Sequence, residues 1–144
     1  MLLKTHYAIT ACGIILFLPF VNNPASFILM ALIATILPDF DTRFSKHGKN
    51  PAARVMQVFT KHRGIVHSIT FCFVLSFLLA LFFPKLVFGF FLGYSLHLLA
   101  DSFTKNGISP FWPLKTKAEG LITTGSKIER GIFFIFVAAD ILLG

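Results

Sequence analysis

The stretch LVFGFFLGYSLHLLADSF, residues Leu86–Phe103, decides how this chain is read. It is apolar over most of a bilayer's depth, and near its end it carries a histidine and an aspartate four residues apart, His97 and Asp101. On a helix that spacing puts both side chains on one face. A membrane span needs roughly 20 apolar residues, somewhat fewer if polar ends reach the interface. Four further windows are plausible spans: Tyr7–Val21, Ala25–Leu37, Ile65–Phe83 and Ile128–Leu143. The first two are short, and Asn22-Asn23-Pro24 reads as the turn of a hairpin between them. The predicted fold class is all-α, a polytopic membrane helical bundle of about five spans built as a single domain over residues 1–144.

Composition points the same way. Of 144 residues, 56% are hydrophobic and 13% charged, 19 are Phe, and mean hydropathy is +0.79. A soluble domain carries about 25% charged residues, so there is too little polar surface here for an ordinary water-soluble globule. The aromatic content excludes a disordered tail protein. A net charge of +7, from 13 Lys/Arg against 6 Asp/Glu, suits either nucleic acid or an anionic membrane surface, and the placement of the bases decides between them. Lys4 precedes the first window, and the Asn22–Pro24 turn has no base. The segment Asp39–Gly64 holds Arg43, Lys46, Lys49, Arg54, Lys61 and Arg63. The next turn has only Lys85, and Thr104–Lys127 holds Lys105, Lys115, Lys117 and Lys127. Base-rich and base-poor loops alternate as the positive-inside rule requires of a five-span protein with a cytoplasmic N-terminus. No nucleic-acid partner is needed to explain the charge. Cys12 and Cys72 both lie in apolar runs and read as free buried thiols. The N-terminal stretch lacks a small-residue cleavage site and reads as a retained first helix.

On this topology seven polar residues fall at one membrane face. His6 opens the first span, Asp39 and Asp41 close the second, His62 and His67 open the third, and His97 and Asp101 lie near the end of the fourth. Ionisable groups at such depth are costly and mark function. Any one of these histidines alone is more simply a packed or interfacial residue, and the aspartates alone could terminate a helix. That bland reading must be invoked on four helices at the same depth, which favours shared ligation. Imidazole with carboxylate suits zinc first, with manganese or iron as alternatives. Seven ligands exceed one zinc shell and leave room for one or two ions. The expected roles are ligation by His6, His62, His67, His97 and Asp101 and bridging by Asp39. Asp41 serves as a ligand or water-orienting base, and Arg63, with Arg43 beside it, contacts an anionic phosphate. The expected geometry puts Asp39 and Asp41 at a helix end, His62 on a loop and His67 in the first turns of the third helix. Thr5, Ser68 and Ser102, each next to a proposed ligand, are expected to support it. His47 reads as exposed, and Asp140 as reaching the opposite interface.

Several pieces resemble one family: Thr5-His6, Leu37-Pro38-Asp39-Phe40-Asp41, His62-Arg63-Gly64-Ile65-Val66-His67-Ser68, and Gly93 through Thr104, continuing to Gly107 and Pro110-Phe111-Trp112-Pro113. In that order they resemble the membrane-bound metal-dependent hydrolases that include the LexA-regulated YdjM-like proteins. The resemblance implies a multi-pass protein of the bacterial inner (cytoplasmic) membrane with a metal centre made from those His and Asp residues. The family name implies hydrolysis without fixing a substrate. There is no His-Glu-x-x-His protease motif, and the five histidines are too few for desaturase-type boxes.

Two functions compete on these residues. One is a metal-dependent hydrolase in which metal-activated water attacks a phosphoester or ester of a membrane lipid at the cytoplasmic face. Phe111 and Trp112 would then lie over the site, and an apolar groove would open from the metals toward lipid. The other is a non-catalytic membrane protein whose metal staples short helices together. A metal transporter would place ligands near the bilayer midplane, away from the single face seen here.

Overall fold

In a computed structural model the chain is all-helical among the described residues. These are 1–44, 63–114 and 116–144, with the backbone alone described for 40–44, 63 and 64. In chain order they form α1 (Leu3–Phe17), a 3-10 turn (Leu18–Phe20), α2 (Pro24–Phe44), the single turn α3 (Arg63–Val66), α4 (Ile69–Phe82), α5 (Pro84–Ser102) and α6 (Lys127–Leu143). His62 and His47 lie outside the described residues, as do the side chains of Asp41, Arg43 and Arg63.

By length and composition one described stretch, Leu3–Phe20, is apolar enough to cross a membrane, with mean hydropathy 1.4. The stretches Pro24–Asp39 and Ile69–Phe82 are apolar but shorter. At 1.5 Å per residue the 14 residues of α4 reach only about 21 Å.

Two predicted boundaries are corrected. The second apolar window ends at Leu37, yet α2 continues through Asp39 and Asp41 to Phe44. Hydropathy ends where the apolar run ends, whereas the helix continues on its backbone hydrogen bonds, even past Pro38. The aspartates therefore lie within a helix rather than at its end. The third window is not one helix. Ser68 adopts an extended conformation and its side chain accepts from the Phe71 N–H at 3.1 Å, a helix N-cap. The Pro110 carbonyl meanwhile accepts from the N–H groups of Ile69 and Thr70. These acceptors supply the partners that a new helix start lacks. His67 is left at the junction between α3 and α4, ahead of the helix rather than in its first turns.

The bundle is built around α5, which packs against α1, α2 and α4, while α6 packs on α1. Its contact with α2 is backbone-close. A Cβ on Gly89 would stand 2.5 Å from the Phe27 carbonyl oxygen, and one on Gly93 would stand 2.1 Å from that of Ala31. Two glycines four apart thus let the helices approach to a distance no side chain allows. Around this seam Ile14, Phe27, Ala31 and Leu92 form one core cluster, and Ala34, Cys72, Phe90, Tyr94, Leu98 and Ile108 another. Cys72 is buried and free, and Cys12 is free and half-buried. After α5, residues 103–114 and 116–126 fold back on the helix ends through two isolated bridges, Thr104 with Ile122 and Ile108 with Ala118.

Candidate metal centre

Each cluster residue is carried to one end of the bundle by a different local cause. α5 presents His97 and Asp101 one helical turn apart. α2 passes beside it, held close by the glycine seam, and brings Asp39. The α3–α4 junction brings His67 and is pinned on both sides. The Tyr94 hydroxyl donates to the Val66 carbonyl at 2.6 Å, and the Ser68 hydroxyl donates to the Ile65 carbonyl at 2.6 Å. α1 starts with His6 at the same end.

The ligand atoms of Asp39, His67, His97 and Asp101 all lie within 4.8 Å of one another. His67 Nε2 stands 3.6 Å from Asp39 Oδ1 and 3.9 Å from Asp101 Oδ2. His97 Nε2 stands 4.0 Å from Asp39 Oδ1 and 3.6 Å from Asp101 Oδ2. These separations are too long for ordinary hydrogen bonds. Four donors about 2.0–2.2 Å from a central ion, in a tetrahedron, are roughly 3.4 Å apart. The four imidazole–carboxylate separations, 3.6–4.0 Å, are a few tenths of an ångström longer than that.

The tautomer of His97 supports the same reading. Its Nδ1 lies 2.8 Å from the Thr35 carbonyl oxygen, which can only accept, so Nδ1 carries the proton. Nε2 then turns a lone pair toward the cluster, buried and without a hydrogen-bond partner. A ligating imidazole whose other nitrogen donates to a carbonyl is the usual arrangement at protein metals. Thr35 is itself held, its hydroxyl donating to the Ala31 carbonyl at 2.8 Å and pairing with Thr10 at 2.9 Å. Two imidazoles and two carboxylates with an unpartnered buried nitrogen fit a divalent cation.

His6 joins the cluster from the side. Its ring stacks on that of His97, centroids 3.9 Å apart and 9° from parallel. His6 Nε2 lies 3.2 Å from Asp101 Oδ1, and the amino group of Met1 contacts the same oxygen. Asp101 therefore turns Oδ2 to His67 and His97 and Oδ1 to His6. Asp39 Oδ1, like Asp101 Oδ2, faces both His67 and His97. Asp39 keeps 26% of its side chain exposed while His97 has none, so the cluster is closed behind His97 and accessible beside Asp39.

The expected supporting hydroxyls bond to neighbouring structure rather than to the cluster side chains themselves. Thr5 donates to Glu129, Ser68 caps α4, and Ser102 donates to the Leu99 carbonyl. None of these bonds reaches a cluster residue. Two further supporting residues were missed in the sequence. Thr35 acts through its backbone, which no side-chain pattern announces. Glu129 is fully buried and accepts from the Leu2 N–H, the Gly125 N–H and the Thr5 hydroxyl, tying the start of α6 to the start of α1.

The whole chain, residues 1–143, matches the family model described as YdjM inner membrane protein. The chain belongs to the YdjM inner membrane protein family. No curated protein and no solved structure matches it. The family description names a membrane and no activity, so for this YdjM family member the chemistry has to be argued from the cluster.

Proposed function

We propose that this protein is a multi-pass inner-membrane, metal-dependent hydrolase acting on a phosphoester or ester of a membrane lipid at the cytoplasmic face. The observation that carries this reading is the set of ligand atoms from Asp39, His67, His97 and Asp101 within 4.8 Å of one another, with His97 Nε2 oriented inward and unpartnered. A divalent ion there, zinc by preference, would polarise the substrate's oxygen and acidify a water. The chain's own groups would do the rest. His97, fixed by Thr35, and His67, fixed by the capped junction, hold rigid positions. Asp39 is the more exposed carboxylate, on the side from which substrate can approach, and Asp41 and Arg63 are assigned to base and anion contact respectively.

The multi-pass reading is supported by large apolar side chains that face outward on several helices. Leu29 and Ile33 do so on α2, Phe73, Phe77 and Leu81 on α4, and Phe134, Ile135 and Ile141 on α6, all at least 46% exposed. Faces of this kind need lipid or a partner to cover them.

The test is to purify the full chain in detergent, measure bound metal, and assay head-group or phosphate release from phospholipid vesicles. Turnover that disappears in His97→Ala together with the metal supports the proposal. Wild-type protein that binds metal, unfolds on chelation and releases nothing would establish the structural-staple alternative instead.

A further inference from the structure

Beside the metal cluster the fold leaves a cavity of about 440 Å³, within the range of pockets that accept small organic ligands. Ile69 and Cys72 of α4, Phe91 and Leu98 of α5, and Pro110 and Phe111 of the following segment are among its walls. The two serines in the wall, Ser95 and Ser102, turn their hydroxyls to the Leu92 and Leu99 carbonyls at 3.2 and 2.6 Å. The lining is therefore effectively hydrocarbon, and it contains no charged residue. The cluster residues do not line it. Ile69 lies two residues beyond His67, and Leu98 and Ser102 directly follow His97 and Asp101, so the cavity runs along the neighbouring flank of α5.

The segment that roofs this cavity has the composition of a membrane–water interface. Phe111, Trp112, Leu114 and Leu121 are 55%, 40%, 63% and 89% exposed. They are interleaved with exposed Lys105, Lys117 and Lys127. Lys117 pairs with Glu119, and Glu129 is buried on backbone donors, so the segment keeps an excess of positive charge. Aromatic side chains and bases together match anionic lipid headgroups. A charge-free hydrocarbon recess, walled in part by Ile108, Pro110, Phe111 and Ala118 of the same segment, matches a chain.

We propose that this cavity holds one acyl chain of an anionic phospholipid whose headgroup rests on the basic, aromatic surface that carries Lys105, Phe111, Trp112 and Lys117. The inference rests on the membrane reading above and deepens it, but it needs no hydrolysis.

Trp112, next to Phe111 in the wall, is the single tryptophan of the chain and reports on the cavity. The full chain in detergent is titrated with phosphatidylglycerol brominated on its acyl chains. Tryptophan emission should be quenched to saturation at about one lipid per chain. Unlabelled phosphatidylglycerol should reverse the quenching, and phosphatidylcholine with the same chains should be at least tenfold weaker. Ser95→Phe, which fills the recess, should lose the saturable quenching while keeping its bound metal. A Ser95→Phe protein that keeps its metal and is quenched like wild type overturns the proposal, as does equal competition by phosphatidylcholine. A measurement on wild type alone covers the case of a misfolded variant. Phosphatidylglycerol with a photoactivatable acyl chain should label Leu98 and Phe111. Labelling confined to the outward faces of α4 and α6, or a second copy of the chain cross-linked into the cavity, overturns it. Lipid capture without turnover would leave this proposal intact and defeat the catalytic one, while turnover with an unlabelled cavity would do the reverse.

Discussion

Thr5 donates a hydrogen bond to Glu129 at 3.1 Å, joining the residue before His6 to the first turn of the last helix. With the Leu2 N–H on the same carboxylate oxygen, this latch sets where α1 begins and so where the His6 ring lies over His97. The His/Asp cluster is thus supported from a helix that contributes none of its residues.

Glu129→Ala removes the acceptor of three donors in a buried place. A buried donor left unsatisfied costs about 1–3 kcal/mol. The variant should melt several degrees below wild type in detergent and bind metal more weakly, and Glu129→Gln should recover part of both. Thermal unfolding followed by circular dichroism, paired with metal titration, reads both effects.

The seam between α2 and α5 should be equally sensitive. Gly93 faces Ala31, and one turn further along the same two helices His97 Nδ1 donates to the Thr35 carbonyl. Gly93→Ala must push the helices apart, at about 1–3 kcal/mol for an overpacked contact, and should stretch that hydrogen bond. The expected outcome is a lower melting temperature together with a metal affinity reduced by about 10-fold or more, as for other losses of ligand support. Gly131, where an added Cβ meets nothing, is the control and should tolerate alanine on both measures.

Removal of ligands should grade with their place in the cluster. His97→Ala and Asp101→Ala should abolish stoichiometric metal by elemental analysis, since each removes a donor facing the centre. His6→Ala should weaken binding without abolishing it, because His6 contacts the outer oxygen of Asp101. Protons compete with metal for imidazole nitrogen, so occupancy at fixed free zinc should fall as pH is lowered and recover when it is raised. Dialysis against a fixed free-zinc buffer at each pH measures this.

Ser68→Ala removes the N-cap of α4, worth about 1 kcal/mol, and frees one side of the junction that carries His67. Stability should fall by that order, and metal affinity should fall with it. Asn at the same position should restore most of the loss, since its side chain caps as well.

Topology gives a further check. Five spans place the two ends of the chain on opposite sides of the membrane. A reporter active only in the cytoplasm should work when fused before Leu2 and fail after Leu143. Activity at both ends would refute the five-span arrangement.

The amino-acid sequence by itself determined the helical class and the partners His97 and Asp101, because a four-residue spacing on an apolar helix leaves one geometry. It placed His6, Asp39 and His67 at the same end because hydropathy fixes which end of each helix a residue occupies. Gly89 and Gly93 four apart in an apolar run announce a close helix contact, and Ser126 three before Glu129 announces a helix start. Tertiary structure alone decided the rest. The sequence carries no record of a backbone acceptor, so Thr35's hold on His97 becomes visible only once α2 lies against α5. The break at Ser68 depends on the Pro110 carbonyl, which arrives from 42 positions further along the chain. The burial of Glu129 depends on α6 meeting the start of α1, a contact that local periodicity does not encode.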